Sequence, residues 1–217
     1  MTRVTVLGSG TWGTAFAMIL ADAGCDVTMW ARRREVADAV NAGRNDAYLP
    51  ELELPARVRA TVDTGEALEH ADLVVLAVPS QTLRDNLTQW GDAIPAGVPV
   101  VSLMKGVELG TTMRMSQVIA EAGHVEQDRV VVVSGPNLAT EIARRQPAAA
   151  VVACHDGGAV RRRARGMRAR RDEGGDRARQ GVGCQQFVGR GDVALRVAED
   201  AAVTEGLGDL AGGQGHV

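Results

Sequence analysis

Short apolar runs alternate with segments of helical apolar spacing through the first two thirds of the chain, and the alternation then stops. Arg3–Leu7 is a β-branched run, Gly8-Ser9-Gly10-Thr11-Trp12-Gly13 follows it, and Thr14–Ala23 carries Phe16, Ile19 and Leu20 at helical spacing. Gly24 ends that helix as a C′ glycine does, and Asp26–Trp30 supplies a second β run within the ~30 residues of a βαβ unit. Further strands are predicted at Val58–Val62, Asp72–Val78, Val98–Leu103, Arg129–Val133 and Ala148–Cys154. Helices are predicted near Val36–Asn41, Gln81–Trp90, Thr112–Ala122 and Leu138–Arg145. Repeated β-α alternation argues a parallel sheet, and strands that read as unbroken Val, Leu and Ala argue helices on both faces. The expected fold of residues 1–156 is therefore α/β, a doubly wound and mostly parallel sheet.

After Asp156 the pattern gives way to an arginine-rich stretch over residues 157–171 and glycine scattered through residues 174–217, so an irregular segment with no second core is expected over 157–217. Charge changes at the same place: the net formal charge of −3 divides into −6 for residues 1–156 and +3 for 157–217. Lys105 is the single lysine, every other base being arginine, a usage that suggests a GC-rich coding sequence.

At 217 residues the chain can bury one good core and at most a small second unit. The longest apolar runs, such as Ala71–Pro79 and Val130–Val133, fall far short of the ~20 residues a bilayer needs, so no membrane span is expected. Met1-Thr2-Arg3 passes straight into a strand without the succession of a secretory signal, and the chain reads as cytoplasmic. Cys25, Cys154 and Cys184 are too scattered for a disulfide framework or a zinc site and read as small buried hydrophobes. The four histidines follow no ligand spacing, and no metal is expected.

The chemistry concentrates where strands end. In a strand-turn-helix of this kind Gly8 would allow the tight turn, Gly10 would let backbone approach a pyrophosphate, and Gly13 would let helix pack on strand. The helix opening at Thr11–Trp12 would then aim unpaired N–H groups and its positive dipole end at phosphates. That is the Rossmann-type dinucleotide fingerprint. An NAD site usually carries an acidic residue at the end of the second strand, about 20 residues beyond the glycines, whereas arginine suits a 2′-phosphate. Here the segment reads Ala31-Arg32-Arg33-Arg34, so NADP(H) is favoured and NAD(H) is the alternative. Pro79-Ser80-Gln81 ends a buried strand at the edge where open α/β sheets bind ligands. Lys105 ends another, before Gly106, where it could grip a phosphate. Asn137 in Ser134-Gly135-Pro136-Asn137-Leu138-Ala139 is placed to N-cap the next helix.

The glycine loop, the Ala77-Val78-Pro79 strand end, Met104-Lys105-Gly106-Val107-Glu108 and Ser134-Gly135-Pro136-Asn137-Leu138-Ala139, in that order, resemble the cofactor half of bacterial NAD(P)-dependent glycerol-3-phosphate dehydrogenase. The resemblance covers residues 1 to about 156. It implies that Thr11, Trp12, Arg32, Arg33 and Ala139 contact NADPH, that Lys105 contacts cofactor and substrate, and that Gly135 and Asn137 contact the substrate. The implied reaction reduces dihydroxyacetone phosphate to sn-glycerol 3-phosphate for phospholipid synthesis, with a second lysine of a helical C-terminal domain handling the alcohol proton. That domain and lysine are not recognisable, so the catalytic residue is unknown and impaired turnover is expected. An altered reading frame after codon ~157 would produce such composition, which seldom builds a core. A truncated or frameshifted family member is the expected reading. Homodimers in that family would form largely through the same domain, which leaves the oligomeric state of this chain open.

Three alternatives make different demands. A non-catalytic dinucleotide-binding protein would bind cofactor with no effect of substrate. Reductases of 3-hydroxy acids and ketopantoate share similar glycine loops, but the Met-Lys-Gly and Ser-Gly-Pro-Asn segments argue against them. A basic RNA-contacting tail built on Arg161–Arg171 lacks the aromatic residues that stack bases, so no nucleic-acid partner is expected.

Overall fold

In a computed structural model, residues 1–146, 148–154 and 185–189 are described. The chain order is β1 (Arg3–Leu7), α1 (Thr11–Asp22), β2 (Asp26–Trp30), α2 (Arg34–Asn41), β3 (Arg44–Asn45), β4 (Leu49–Glu53), β5 (Val58–Thr61) and α3 (Thr64–Leu68). It continues with β6 (Leu73–Leu76), α4 (Leu83–Trp90), β7 (Val100–Ser102), α5 (Met115–Ala122), β8 (Val130–Ser134), α6 (Ala139–Ala143), β9 (Ala148–Cys154) and β10 (Gln185–Gly189). The main sheet runs β10-β9-β8-β7-β6-β1-β2-β5, and β3 pairs with β4 as a separate hairpin.

Six strands, β8 through β5 in that order, are parallel, while β9 joins β8 and β10 joins β9 antiparallel. The expected mostly parallel sheet is thus present. The irregular segment expected over 157–217 lies outside the described residues, as do Cys184, His155 and His216, except that Gln185–Gly189 forms a strand where none was expected.

Why the sheet is buried on both sides is visible in the side chains. Val4, Val6, Val27, Met29, Val75 and Val101 face one core under α1, α2 and α6. Leu7, Val74, Leu76, Val100 and Val130 face a second core under α4 and α5. Alternate residues of one strand enter opposite layers, which is why the strands read as continuous apolar runs. α1 is the most enclosed helix, with every residue from Gly13 to Ala21 buried. Its end follows the Schellman pattern: Gly24, at φ 88°, donates to Ala21 O at 2.9 Å, and Cys25 N–H to Leu20 O at 3.0 Å.

The chain passes from β1 outward to β2 and β5, then returns across the sheet to β6 on the other side of β1. That reversal leaves a crevice beyond the carboxyl ends of β1 and β6, the place where open α/β sheets take ligands. Backbone there is packed to the limit. A Cβ on Gly13 would lie 2.1 Å from Gly8 O, and one on Gly8, itself at φ 128°, 2.5 Å from Ala77 O.

Several boundaries differ from expectation. The predicted helix at Gln81–Trp90 begins as a 3-10 turn, Ser80–Thr82, before α4. The one predicted at Thr112–Ala122 begins only at Met115, because Val107 bridges Arg114 and Thr112 sits at φ 57°. Asn137 does not cap α6: the N-cap is Leu138, with no side-chain cap bond, and the Asn137 amide is engaged elsewhere. The β3–β4 hairpin and α3, capped by Asp63 through Glu66 N–H at 2.8 Å, were not expected. Among the described residues no helix is long and apolar enough to cross a membrane.

Two outcomes follow. Gly13→Ala must push α1 off Gly8, and overpacking of this kind costs about 1–3 kcal/mol, to be read as a lowered midpoint in urea unfolding. Glu108, gripped by Arg84 and also held by Thr111, has its carboxyl pKa lowered from the ordinary value. A lowered folded pKa adds stability above the usual carboxylate range that is lost as pH falls through the depressed value. Urea midpoints of parent and Glu108→Gln should therefore converge in acid and separate at neutral pH.

Candidate functional site

Strand ends β1, β2, β6 and β7, with the turn after β8, surround one open groove of about 620 Å³. Its first wall is the glycine turn, where Gly8, Ser9, Gly10, Thr11 and Trp12 all face the space. Gly10 is the extended N-cap of α1, and no side chain caps the helix or places an acid in its first turn. The first N–H groups of α1 therefore lack intrahelical acceptors and, with the positive dipole end, favour an anion. A Cβ built on Gly10 meets nothing within 4 Å, so the turn opens a cradle for a close-lying group. Trp12 stands edge-on to Phe16 at 5.9 Å, and its buried indole N–H has no protein acceptor. These residues fit a dinucleotide diphosphate.

At the end of β2, Arg32 lines the groove and Arg33 does not. Arg33 is half-exposed, 3.4 Å from a Glu35 carboxylate oxygen and donating to the Tyr48 hydroxyl at 3.4 Å. Tyr48 itself lines the groove from the β3–β4 hairpin. The hairpin is bolted to the glycine turn: Asn45 Nδ2 donates to Ser9 O at 3.1 Å and to Thr14 Oγ1 at 2.8 Å, and Thr11 Oγ1 donates to Tyr48 O at 3.3 Å.

At the other end Lys105 leaves β7 and enters the groove. Its Nζ donates to Gly135 O at 3.0 Å and to Asn137 Oδ1 at 3.1 Å. An ammonium has three donors, so one remains for a ligand. Asn137 is buried beside it, and Leu138 and Ala139 complete that wall.

Of the residues singled out from sequence, Gly8, Gly10, Thr11, Trp12, Arg32, Lys105, Asn137 and Ala139 line one groove. Gly13 lies beneath it as the packing contact, Arg33 is held beside it by Glu35 and Tyr48, and Gly135 contributes a carbonyl to Lys105. Sequence reasoning passed over Trp30, Tyr48, Thr82, Asn86 and Leu103 as lining residues. Leu103 and Trp30 could have been found as strand-end positions beside the crevice. Tyr48 gives no such signal, because it depends on the unforeseen hairpin.

Comparison with known proteins bears on this arrangement. The N-terminal region of NAD-dependent glycerol-3-phosphate dehydrogenase, as a family, matches residues 3–160. Glycerol-3-phosphate dehydrogenase (NAD(P)+) of Streptomyces avermitilis is 61% identical over 153 residues, covering 70% of this chain and 46% of that protein. The enzyme of that name in Mycobacterium tuberculosis is 57% identical over 156 residues, covering 71% and 47%. The chain thus spans about half the length of the curated relatives it matches. Among solved structures, glycerol-3-phosphate dehydrogenase from Coxiella burnetii superimposes with a TM-score of 0.66 at 28% identity, over 80% of this chain and 51% of that one. The Saccharomyces cerevisiae enzyme gives 0.66 at 29%, over 72% and 48%. With the family match covering most of its length, the chain belongs to the NAD-dependent glycerol-3-phosphate dehydrogenase family, whose N-terminal region it carries.

Proposed function

We propose that the chain is the cofactor-binding part of an oxidoreductase that reduces dihydroxyacetone phosphate to sn-glycerol 3-phosphate with NADPH, NADH being the weaker alternative. The observation that carries this reading is the position of Lys105: the single lysine of the chain lies in the same groove as the glycine turn, held by Gly135 and Asn137.

When bound, the nicotinamide supplies the hydride that the ketone carbon receives. The chain's own residues do the binding. The Gly8–Trp12 turn and the N-terminus of α1 would hold the diphosphate, and Arg32 would meet the 2′-phosphate. Arg33 stands next to that position as a second cation, and Ala139 borders the cofactor from the opposite wall. Lys105 would contact both cofactor and substrate, while Asn137 and the Gly135 carbonyl aim it.

Reduction also needs an acid beside the carbonyl oxygen to deliver a proton and offset developing charge. Lys105 is committed to binding, and the sequence holds no further lysine. In this reading residues 1–156 are the cofactor domain, 157–217 stand in place of a substrate domain, and turnover by the chain itself is weak or absent. The setting is cytoplasmic, among phosphorylated intermediates of glycerophospholipid synthesis, and any homodimer would rest on surfaces outside the groove.

NADPH titration followed by the fluorescence of Trp12 and Trp30, beside NADPH oxidation with dihydroxyacetone phosphate, tests the whole. Binding without turnover is expected; turnover would place a proton donor among residues assigned no role here, and no NADPH binding at all would overturn the reading. Arg32→Ala should weaken NADPH by about 1.5 kcal/mol, the lower end for a charged hydrogen bond, and leave NADH nearly unchanged. Equal losses for both cofactors would remove Arg32 from the 2′-phosphate. Lys105→Ala should weaken dihydroxyacetone phosphate binding by ~1.5–3 kcal/mol and NADPH by less, measured by calorimetry.

A further inference from the structure

Beyond Lys105 the chain does not run directly into α5. Residues 106–114 leave the sheet as a loop that closes on itself, with a bridge between Val107 and Arg114 and Glu108 N–H donating to Met113 O at 2.9 Å. Apolar burial contributes little to holding its tip, since Leu109 is 79% exposed. The restraint is polar and comes from one short segment after β6.

The Gln81 amide pairs with the loop backbone as a neighbouring strand would: Nε2 donates to Val107 O at 2.9 Å, and Oε1 accepts from Leu109 N–H at 2.9 Å. Three residues later, Arg84 donates to both oxygens of Glu108, Nε to Oε1 at 2.8 Å and Nη2 to Oε2 at 3.0 Å. Its remaining nitrogen, Nη1, reaches Glu121 Oε1 on α5 at 2.8 Å, and the Thr111 hydroxyl donates to Glu108. Fork-to-fork pairing of this kind fixes direction as well as distance. Glu108 is buried, a position a carboxylate occupies only when so paired. Gln81, Arg84 and Glu108 do not line the groove, whereas Ser80 and Thr82, their neighbours, do.

We propose that Gln81, Arg84 and Glu108 are positioning residues for Lys105: they clamp the loop that follows it to the 3-10 turn and α4, so that its ammonium is presented between Gly135 O and Asn137 Oδ1 before any ligand arrives. A loop with glycines at positive φ on either side of the tip, Gly106 at 97° and Gly110 at 88°, would otherwise sample many conformations and carry Lys105 with it. The ligand part of this inference rests on the substrate reading above; the placement of the amine does not.

Because Lys105 is the only lysine, its amine can be read directly. The full chain is acylated with a limiting amine-reactive ester well below its unfolding temperature, and peptide mapping separates Lys105 from the α-amine. In Gln81→Ala and Glu108→Gln, Lys105 should be acylated about fivefold faster, the scale of one lost hydrogen bond. Gln81→Glu, which keeps the acceptor for Leu109 N–H, should fall between, and Arg57→Ala, at a remote surface ion pair with Asp26, should match the parent. Dihydroxyacetone phosphate affinity should drop severalfold in the two clamp variants, and NADPH affinity by less. Unchanged Lys105 rates in folded clamp variants would overturn the proposal, even if their melting temperatures fall. Faster rates with no protection of the parent by dihydroxyacetone phosphate would support the clamp and sink the substrate reading instead.

Discussion

At the turn between β1 and α1, backbone passes so near to backbone that only hydrogen fits between. Gly13 lies against the carbonyl of Gly8, and Gly8 against the carbonyl of Ala77, at separations that no side chain could occupy. This double approach brings the amino end of α1 against the carboxyl ends of β1 and β6 together, at the point where the strand order reverses. The unpaired N–H groups of the helix therefore face a crevice instead of solvent or core. What the turn can do for an anion depends on that closeness, because among the described residues no cationic side chain stands at the turn itself. The enclosure of α1 serves the same end, for a helix buried from Gly13 to Ala21 can shift to relax the contact only at the cost of its packing.

The two ends of the groove are held by different physics. On the side of the glycine turn, sterics set the backbone, and the β3–β4 hairpin is fastened to it by Asn45, which is 1% exposed and gives its amide to Ser9 and Thr14. On the side of Lys105, charge-assisted pairs set the loop, with Arg84 shared between Glu108 and Glu121. Packing of the first kind is indifferent to pH over the range where proteins fold. The second kind is strongest while the carboxylates are ionised, and the lowered pKa of Glu108 records that preference.

How much of this was legible in the sequence depends on how local each cause is. The sheet could be read because strands covered on both faces must be apolar at every position, as Leu73–Leu76 and Val130–Val133 are. The glycine turn could be read because Gly13 meets Gly8 only five residues away and Gly8 takes a positive φ, although the approach of Gly8 to Ala77 is a tertiary fact. The β3–β4 hairpin could not: Arg44-Asn45 and Leu49–Glu53 are too short and polar for a period, and the burial of Asn45 is a tertiary fact. Asn137 shows the opposite error. Local rules make an asparagine before a helix a cap, but the Lys105 ammonium, 32 residues away in sequence, takes its oxygen. Arg32 and Arg33 look equivalent on paper, and only tertiary contacts separate them: Arg32 lines the groove, while Arg33 is held by Glu35 and by the hydroxyl of Tyr48 beside it.

The geometry also separates holding from reacting. An anion cradle, a cation at the end of β2 and a fixed ammonium at the other end of the groove are all binding devices, and each would lower the free energy of a bound anion whether or not chemistry follows. Rate acceleration needs an interaction that strengthens as the alkoxide forms. Lys105 donates two of its three hydrogens to Gly135 and Asn137, which fixes its direction and leaves a single donor for the groove. A group so held is suited to meet a charge that is present before and after reaction, such as a phosphate, because its third hydrogen faces the groove in a direction set by the other two. The two bonds to Gly135 and Asn137 therefore fix where the ammonium points and leave its charge open to the groove.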